Sequence, residues 1–286
     1  MDAGKCSLVR AVRGTGYEIA KHMSFFAEPF LLLGRYKYLL LRTTSSEIKA
    51  RYAGTLMGIA WALIYPLLFL ALYAVVYVAI FNVRFGEMKS FDYVLLIFAG
   101  LIPFLNFTEM LAVGVVSVTS NSTLIKNTLF PIELVPVKAV LASTLTMLIS
   151  LGILECALIC TGKFSLINFL VIPVIALQLV FSFGLSWLLS ALNVFLKDIG
   201  QIIPIVSLFL MLVSPIAYTM DMVPKALVPF MYLNPLFYMI SLYRGVLLDG
   251  EVPWGPLASF LGISMFMFYF GFFVFRRLKG LFADEC

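Results

Sequence analysis

The sequence predicts an all-α integral membrane protein. It should hold six transmembrane helices, an N-terminal amphipathic interfacial helix and outer re-entrant helices between spans five and six. Three observations carry this. The chain is 62% hydrophobic and only 12% charged, where a soluble domain carries about 25% charged residues. Apolar runs recur along the length, several exceeding the roughly 20 residues that span a bilayer as a helix. The Lys and Arg residues cluster between alternate runs, as the positive-inside rule requires.

The first 28 residues are polar, mixed in charge and without an apolar core, so no cleaved signal peptide is expected and the first span targets the chain. Residues 1–27 read as a cytoplasmic N-terminal segment. Residues 28–50 follow as an interfacial helix and 51–286 as a six-span domain. Leu31, Leu32, Tyr36, Leu39 and Leu40 share a broad apolar helix face, and Arg35, Lys37 and Arg42 supply charge. A cationic amphipathic helix lying on the cytoplasmic leaflet fits this pattern. A simple anchor with no further task fits it equally.

Spans are expected at 54–81, 93–119, 134–160, 166–196, 202–220 and 256–275. The first is about 28 residues, or roughly 42 Å, long enough to demand tilt. Six spans put both termini on one side, and the basic residues decide which. Nine lie between Lys5 and Arg51; Lys126, Lys138, Lys197, Arg276, Arg277 and Lys279 share their side. Arg84, Lys89, Lys163, Lys225 and Arg244 fall on the other. The richer side is cytoplasmic. The net charge of +5 follows from this bias and does not call for nucleic acid.

Residues 220–256 are too apolar for an ordinary loop and are broken by Pro224, Pro229 and Pro235. A full crossing would put the Arg-rich tail outside. The segment should therefore dip in and return on the outer side, against protein or a water-filled cavity.

The chemistry is sparse. The Gly-Lys pairs at Gly4-Lys5 and Gly162-Lys163 lack the rest of a phosphate-binding loop, so this chain is not expected to bind ATP, to hold a cofactor or to act as an enzyme. Cys156 and Cys160, one turn apart in a span, read as small packing residues. No metal-ligand spacing appears, and His22 reads as a solvated side chain. Two acids are embedded. Glu155 sits near an outer end. Glu109 is deeper, near Pro103 and Asn106, where a charge costs on the order of 3 kcal/mol and faces a cavity or a partner. These two acids alone do not make a catalytic pair or a proton relay.

Four stretches resemble one family. "RYAGTLMGIAWALIYP" at 51–66 resembles the entry to the first span of type 2 ABC transporter permeases of the polysaccharide and polyol phosphate export family. "KNTLFPIELVPV" at 126–137 is similar to their first cytoplasmic coupling segment. "LNVFLKDIGQIIP" at 192–204 looks like their second cytoplasmic turn. "SPIAY" at 214–218 with "NPLFYMISLYRGVLL" at 234–248 resembles their outer re-entrant region. The likeness covers about 28–279. It implies a homodimeric permease in a bacterial inner membrane, with each copy bound to a separate ATPase subunit that holds ATP and Mg. The cargo implied is a lipid-linked polysaccharide. O-antigen leads; capsule and teichoic acid are close relatives, and a drug or small lipid is the alternative.

The likeness also implies contacts to the ATPase at Lys126, Asn127, Phe130, Pro131, Glu133, Lys197 and Asp198. A plain connecting turn is the competing reading of the first of these segments.

The first span spaces rings four apart: Trp61, Tyr65, Phe69, Tyr73, Tyr77 and Phe81. In an α-helix each ring is displaced about 40° from the last, about 200° in all, so the ladder cannot face one partner. Packing and an interfacial belt explain it in part. Tyr65, Phe69 and Tyr73 share about 80° near mid-membrane, and a tyrosine there needs a polar partner. In a polysaccharide conduit, sugar C–H faces lie on the rings and sugar hydroxyls meet the phenols. Tyr218, Tyr232, Tyr238 and Tyr243 at the outer mouth, and Glu109, are the other candidate path residues.

Overall fold

The computed structural model describes residues 27–80, 90–121 and 130–282. Expectations attached to His22, Phe81, Lys126, Asn127 and nearly all of segment 1–27 lie outside the described residues, as does the side chain of Tyr77. The described residues are helical with no strand. The chain divides into two compact units, 1–43 and 44–286. In the first, residues 27–35 are helical and lead into α1, Lys37–Tyr52, whose residues from Thr44 onward belong to the second unit.

The larger unit is a helical bundle. Its helices are α2 (Trp61–Tyr73), α3 (Ser90–Val115), α4 (Leu134–Cys160), α5 (Val171–Phe195), α6 (Asp198–Val213), α7 (Pro235–Arg244) and α8 (Trp254–Leu278). Five stretches are long and apolar enough to cross a membrane: Gly58–Val76, Phe91–Val115, Leu134–Cys160, Leu166–Phe195 and Trp254–Leu281. α6 is apolar but shorter. At 16 residues it is about 24 Å long, against roughly 30 Å of hydrocarbon. The expected span at 202–220 thus stops early. The reason is local: Ser214 precedes Pro215, which disfavours helical backbone in the residue before it, and Ser214 is extended at φ −78°, ψ 142°.

The first span also begins later than expected. Gly54 and Gly58 have positive φ, 76° and 52°, a region that side chains avoid and glycine enters freely. They build an elbow between α1 and α2. Past Tyr73 the helix widens to a π-helix over Ala74–Ile80. The 40° drift of the ring ladder therefore holds only as far as Tyr73, because a π turn takes more residues.

α5 and α8 form the tightest crossing. A Cβ on Gly271 would lie 1.9 Å from the Gly184 carbonyl oxygen, and one on Gly184 would lie 2.3 Å from that of Met267. Small residues let membrane helices approach to backbone contact. Beside the crossing Trp187 packs on Phe268 and Phe272 with ring centroids 5.3 and 5.1 Å apart. α3 and α4 are the most enclosed spans, and the first is the least.

Candidate functional site

A cavity of about 470 Å³ opens where α2 begins and α3 nears its end. Leu105, Thr108, Glu109 and Ala112 line one wall. Their three- and four-residue spacing puts them on one face of α3. Trp61 and Tyr65 line a second wall from α2, with Tyr52 beside them. Pro204 and Ser207 of α6 and Thr146 of α4 complete it. Arg51 donates a hydrogen bond through Nη1 to Glu109 Oε1. The pair is partly buried on both sides. Pairing offsets much of the cost of holding either charge at this depth, and it holds the Glu109 carboxylate in a cavity lining shared with two aromatic residues.

The three ladder residues sort by exposure. Tyr65 is half exposed on the cavity. Phe69 is half-buried, its ring 5.0 Å from that of Tyr65. Tyr73 is buried in the bundle.

At the same end lie the two turns that carry the other candidate residues. Phe130 and Pro131 are half-buried, and Lys197 and Asp198 are exposed. Glu133 is buried and held twice. Its carbonyl accepts from Trp187 Nε1 at 2.8 Å, and its carboxylate pairs with Lys279. Lys138 is buried too. It reaches Glu47 of α1 at 3.0 Å and Asn121 Oδ1 at 3.1 Å. The second turn is held by Asn193, whose Oδ1 accepts from the Gly200 backbone N–H at 3.0 Å and whose Nδ2 donates to Thr119 at 3.5 Å.

The other end of the bundle holds the remaining tyrosines. Tyr232 is exposed, and Tyr238 donates to its carbonyl at 2.9 Å. Tyr218 is half-buried and donates to the Val213 carbonyl. Tyr243 has no exposed surface. Its hydroxyl donates to Gln178 Oε1 at 2.6 Å, and Gln178 Nε2 donates to Asn106 Oδ1 at 2.9 Å and to the Pro103 carbonyl at 3.2 Å. The structure brings Tyr218, Tyr232 and Tyr238 near one another and keeps Tyr243 in the core.

Arg244 anchors this end. Its guanidinium donates to the carbonyls of Ile216 (2.5 Å), Tyr218 (3.2 Å) and Leu96 (3.3 Å). Tyr93 donates to the carbonyl of Ala217 at 2.8 Å. Three successive carbonyls of an irregular segment are thus satisfied by side chains, as backbone shielded from water demands. Gly100 leaves room for this: a Cβ there would meet Arg244 Nη2 at 3.1 Å.

Sequence reasoning missed Arg51, Gln178, Lys138 and Arg244 as site or anchor residues. Each is a lone polar side chain in or beside an apolar run, which was the available signal.

Among the described residues no group of three or more His, Cys, Asp and Glu side chains is placed to hold a metal ion. The model of the ABC-2 type transporter family matches residues 38–248. The O-antigen export system permease protein RfbA of Klebsiella pneumoniae is 27% identical over 254 residues, covering 88% of this chain and 96% of that protein. A Myxococcus xanthus protein of the same name is 22% identical over 257 residues, covering 88% and 97%. With the family model spanning most of a multi-pass, all-helical chain, this protein belongs to the ABC-2 type transporter family.

Proposed function

We propose that this chain is the membrane-spanning subunit of an ATP-driven exporter that moves a lipid-linked polysaccharide, an O-antigen, across the bacterial inner membrane. Two copies form the conduit, and each binds a separate ATPase subunit that holds ATP and Mg. In this reading both termini are cytoplasmic, and α6 with the 214–218 segment serves as the fifth of six spans. The re-entrant pair around α7 faces the outer side. The names of the two relatives support the cargo.

The cavity beside Arg51 and Glu109 carries the proposal. Trp61 and Tyr65 offer ring faces for sugar C–H groups, while the Glu109 carboxylate, held by Arg51, and the hydroxyls of Thr108 and Ser207 suit a sugar's hydroxyls. The orientation puts this cavity in the cytoplasmic half, where a polysaccharide made inside the cell enters. Large apolar side chains exposed on α2 and α6, among them Leu68, Leu72, Phe209 and Leu212, supply surface for lipid and for the second copy. The exposed Lys197 and Asp198, with Phe130 and Pro131, present the ATPase contact; Lys126 and Asn127 belong to the same proposed segment.

Alanine at Tyr65 should lower surface polysaccharide in complemented cells while leaving the yield of permease–ATPase complex near wild type. Alanine at the buried Tyr73 should instead cut the yield, since truncating a packed aromatic costs about 3–5 kcal/mol. Leu63→Ala, exposed on the opposite face of α2 and outside the cavity lining, is the control. Equal loss of yield and export for Tyr65→Ala and Tyr73→Ala would remove the cavity from the path.

A further inference from the structure

The last residues of α8 run on into a short 3₁₀ turn, Lys279–Leu281, and Phe282 follows. A helix end normally frays unless something ties it down. The end of α8 is tied at two points. Lys279 pairs with the buried carboxylate of Glu133, in the turn that opens α4. Phe282 is 1% exposed. Its ring sits 5.4 Å from Phe275 in an edge-on arrangement and 6.2 Å from Phe195. Phe195 is the last residue of α5, two before Lys197.

The two anchors lie on two different turns. Lys279 holds the turn at 130–133, and Phe282 packs on Phe195, where α5 enters the turn at 196–198. The backbone of Glu133 is also bonded to Trp187 of α5, and Trp187 packs on Phe272 of α8. The first turn, the second turn and the C-terminal end of α8 are therefore one packed cluster. A displacement of either turn has to drag the end of α8, or break an ion pair and an aromatic contact.

We propose that Lys279 and Phe282 form a latch that makes the two cytoplasmic turns move as one body and passes their motion into α8. They are positioning residues, with no contact to nucleotide or cargo. The latch rests on the reading that both turns meet the ATPase subunit. It assigns Glu133 a specific place in that reading: its carboxylate faces Lys279 of its own chain, so it fixes the first turn from within.

The test uses the full permease coexpressed with its ATPase in vesicles, comparing Lys279→Glu, Glu133→Lys and the double exchange. Polysaccharide exported per ATP hydrolysed is measured beside complex yield. Each single reversal should lower export per ATP about tenfold, and the double exchange should recover most of it, the signature of a coupled pair. Phe282→Ala should lower the same ratio. Export per ATP at the wild-type level in Lys279→Glu overturns the latch, and so does a double exchange no better than the singles.

If a reversal prevents assembly, Lys279→Gln removes the ion pair without a like-charge contact, and the same ratio decides. Photocrosslinking residues at 130 and 197 separate the two ideas. Crosslinks to the ATPase with normal export in Lys279→Glu refute the latch alone. No crosslink from either position refutes the underlying contact.

Discussion

Arg244→Met tests how the irregular segment 214–218 is held. The substitution keeps an unbranched apolar stem and removes the guanidinium. Three carbonyls lose a donor: Ile216, Tyr218 and Leu96. Leu96 lies within α3 and keeps a helical partner, so two acceptors are orphaned. Each buried acceptor left bare costs about 1–3 kcal/mol. Removing a desolvated charge returns part of that, which leaves a net loss of about 2–4 kcal/mol. For a chain of this size the loss lowers the midpoint of thermal aggregation by about 5–10 °C. The assay heats purified permease in detergent and follows the monodisperse fraction by size-exclusion chromatography. Tyr93→Phe strips one acceptor, the Ala217 carbonyl, and should lose at least about half as much. A midpoint for Arg244→Met within about 1 °C of wild type refutes the clamp.

Gly271→Ala should destabilise by about 1–3 kcal/mol or more, because its Cβ meets backbone that no rotamer can clear; the same heating assay reads it. Single cysteines in a background without native thiols report topology. One at Leu166, which is exposed, should react with an impermeant reagent from outside, and one at Lys197 only from inside. The opposite pattern inverts the proposed orientation. Purified permease without its partner should show no ATP turnover above a protein-free control.

The all-helical membrane fold was legible because hydropathy and helix length are local properties. The span at 134–160 starts and stops where its apolar run does. Boundaries set by one residue's backbone were harder to see. The stop at Ser214 needed the proline after it, and the delayed start of the first span needed two left-handed glycines. Helical arithmetic grouped Tyr65 with Phe69 and Tyr73 and left Trp61 out, whereas Trp61 and Tyr65 are the two rings of the ladder that line the cavity. It carried no sign of the widening to a π-helix after Tyr73. The ion pairs were not legible at all. Glu109 stood out as an embedded acid, but Arg51, 58 residues away, becomes its partner only through folding. Glu133 likewise reads as a surface charge in a cytoplasmic segment, and the fold turns it toward Lys279.

The most direct test is reconstitution. Permease and its ATPase are placed in vesicles, with lipid-linked polysaccharide supplied on the face bearing the ATPase. A lectin against that polysaccharide reports its arrival on the opposite face. The predicted result is transfer that requires both subunits and hydrolysable ATP, and that falls with Tyr65→Ala in intact complexes. Transfer by the permease alone, or none by an intact, ATP-hydrolysing complex with its native lipid-linked polysaccharide, contradicts the account.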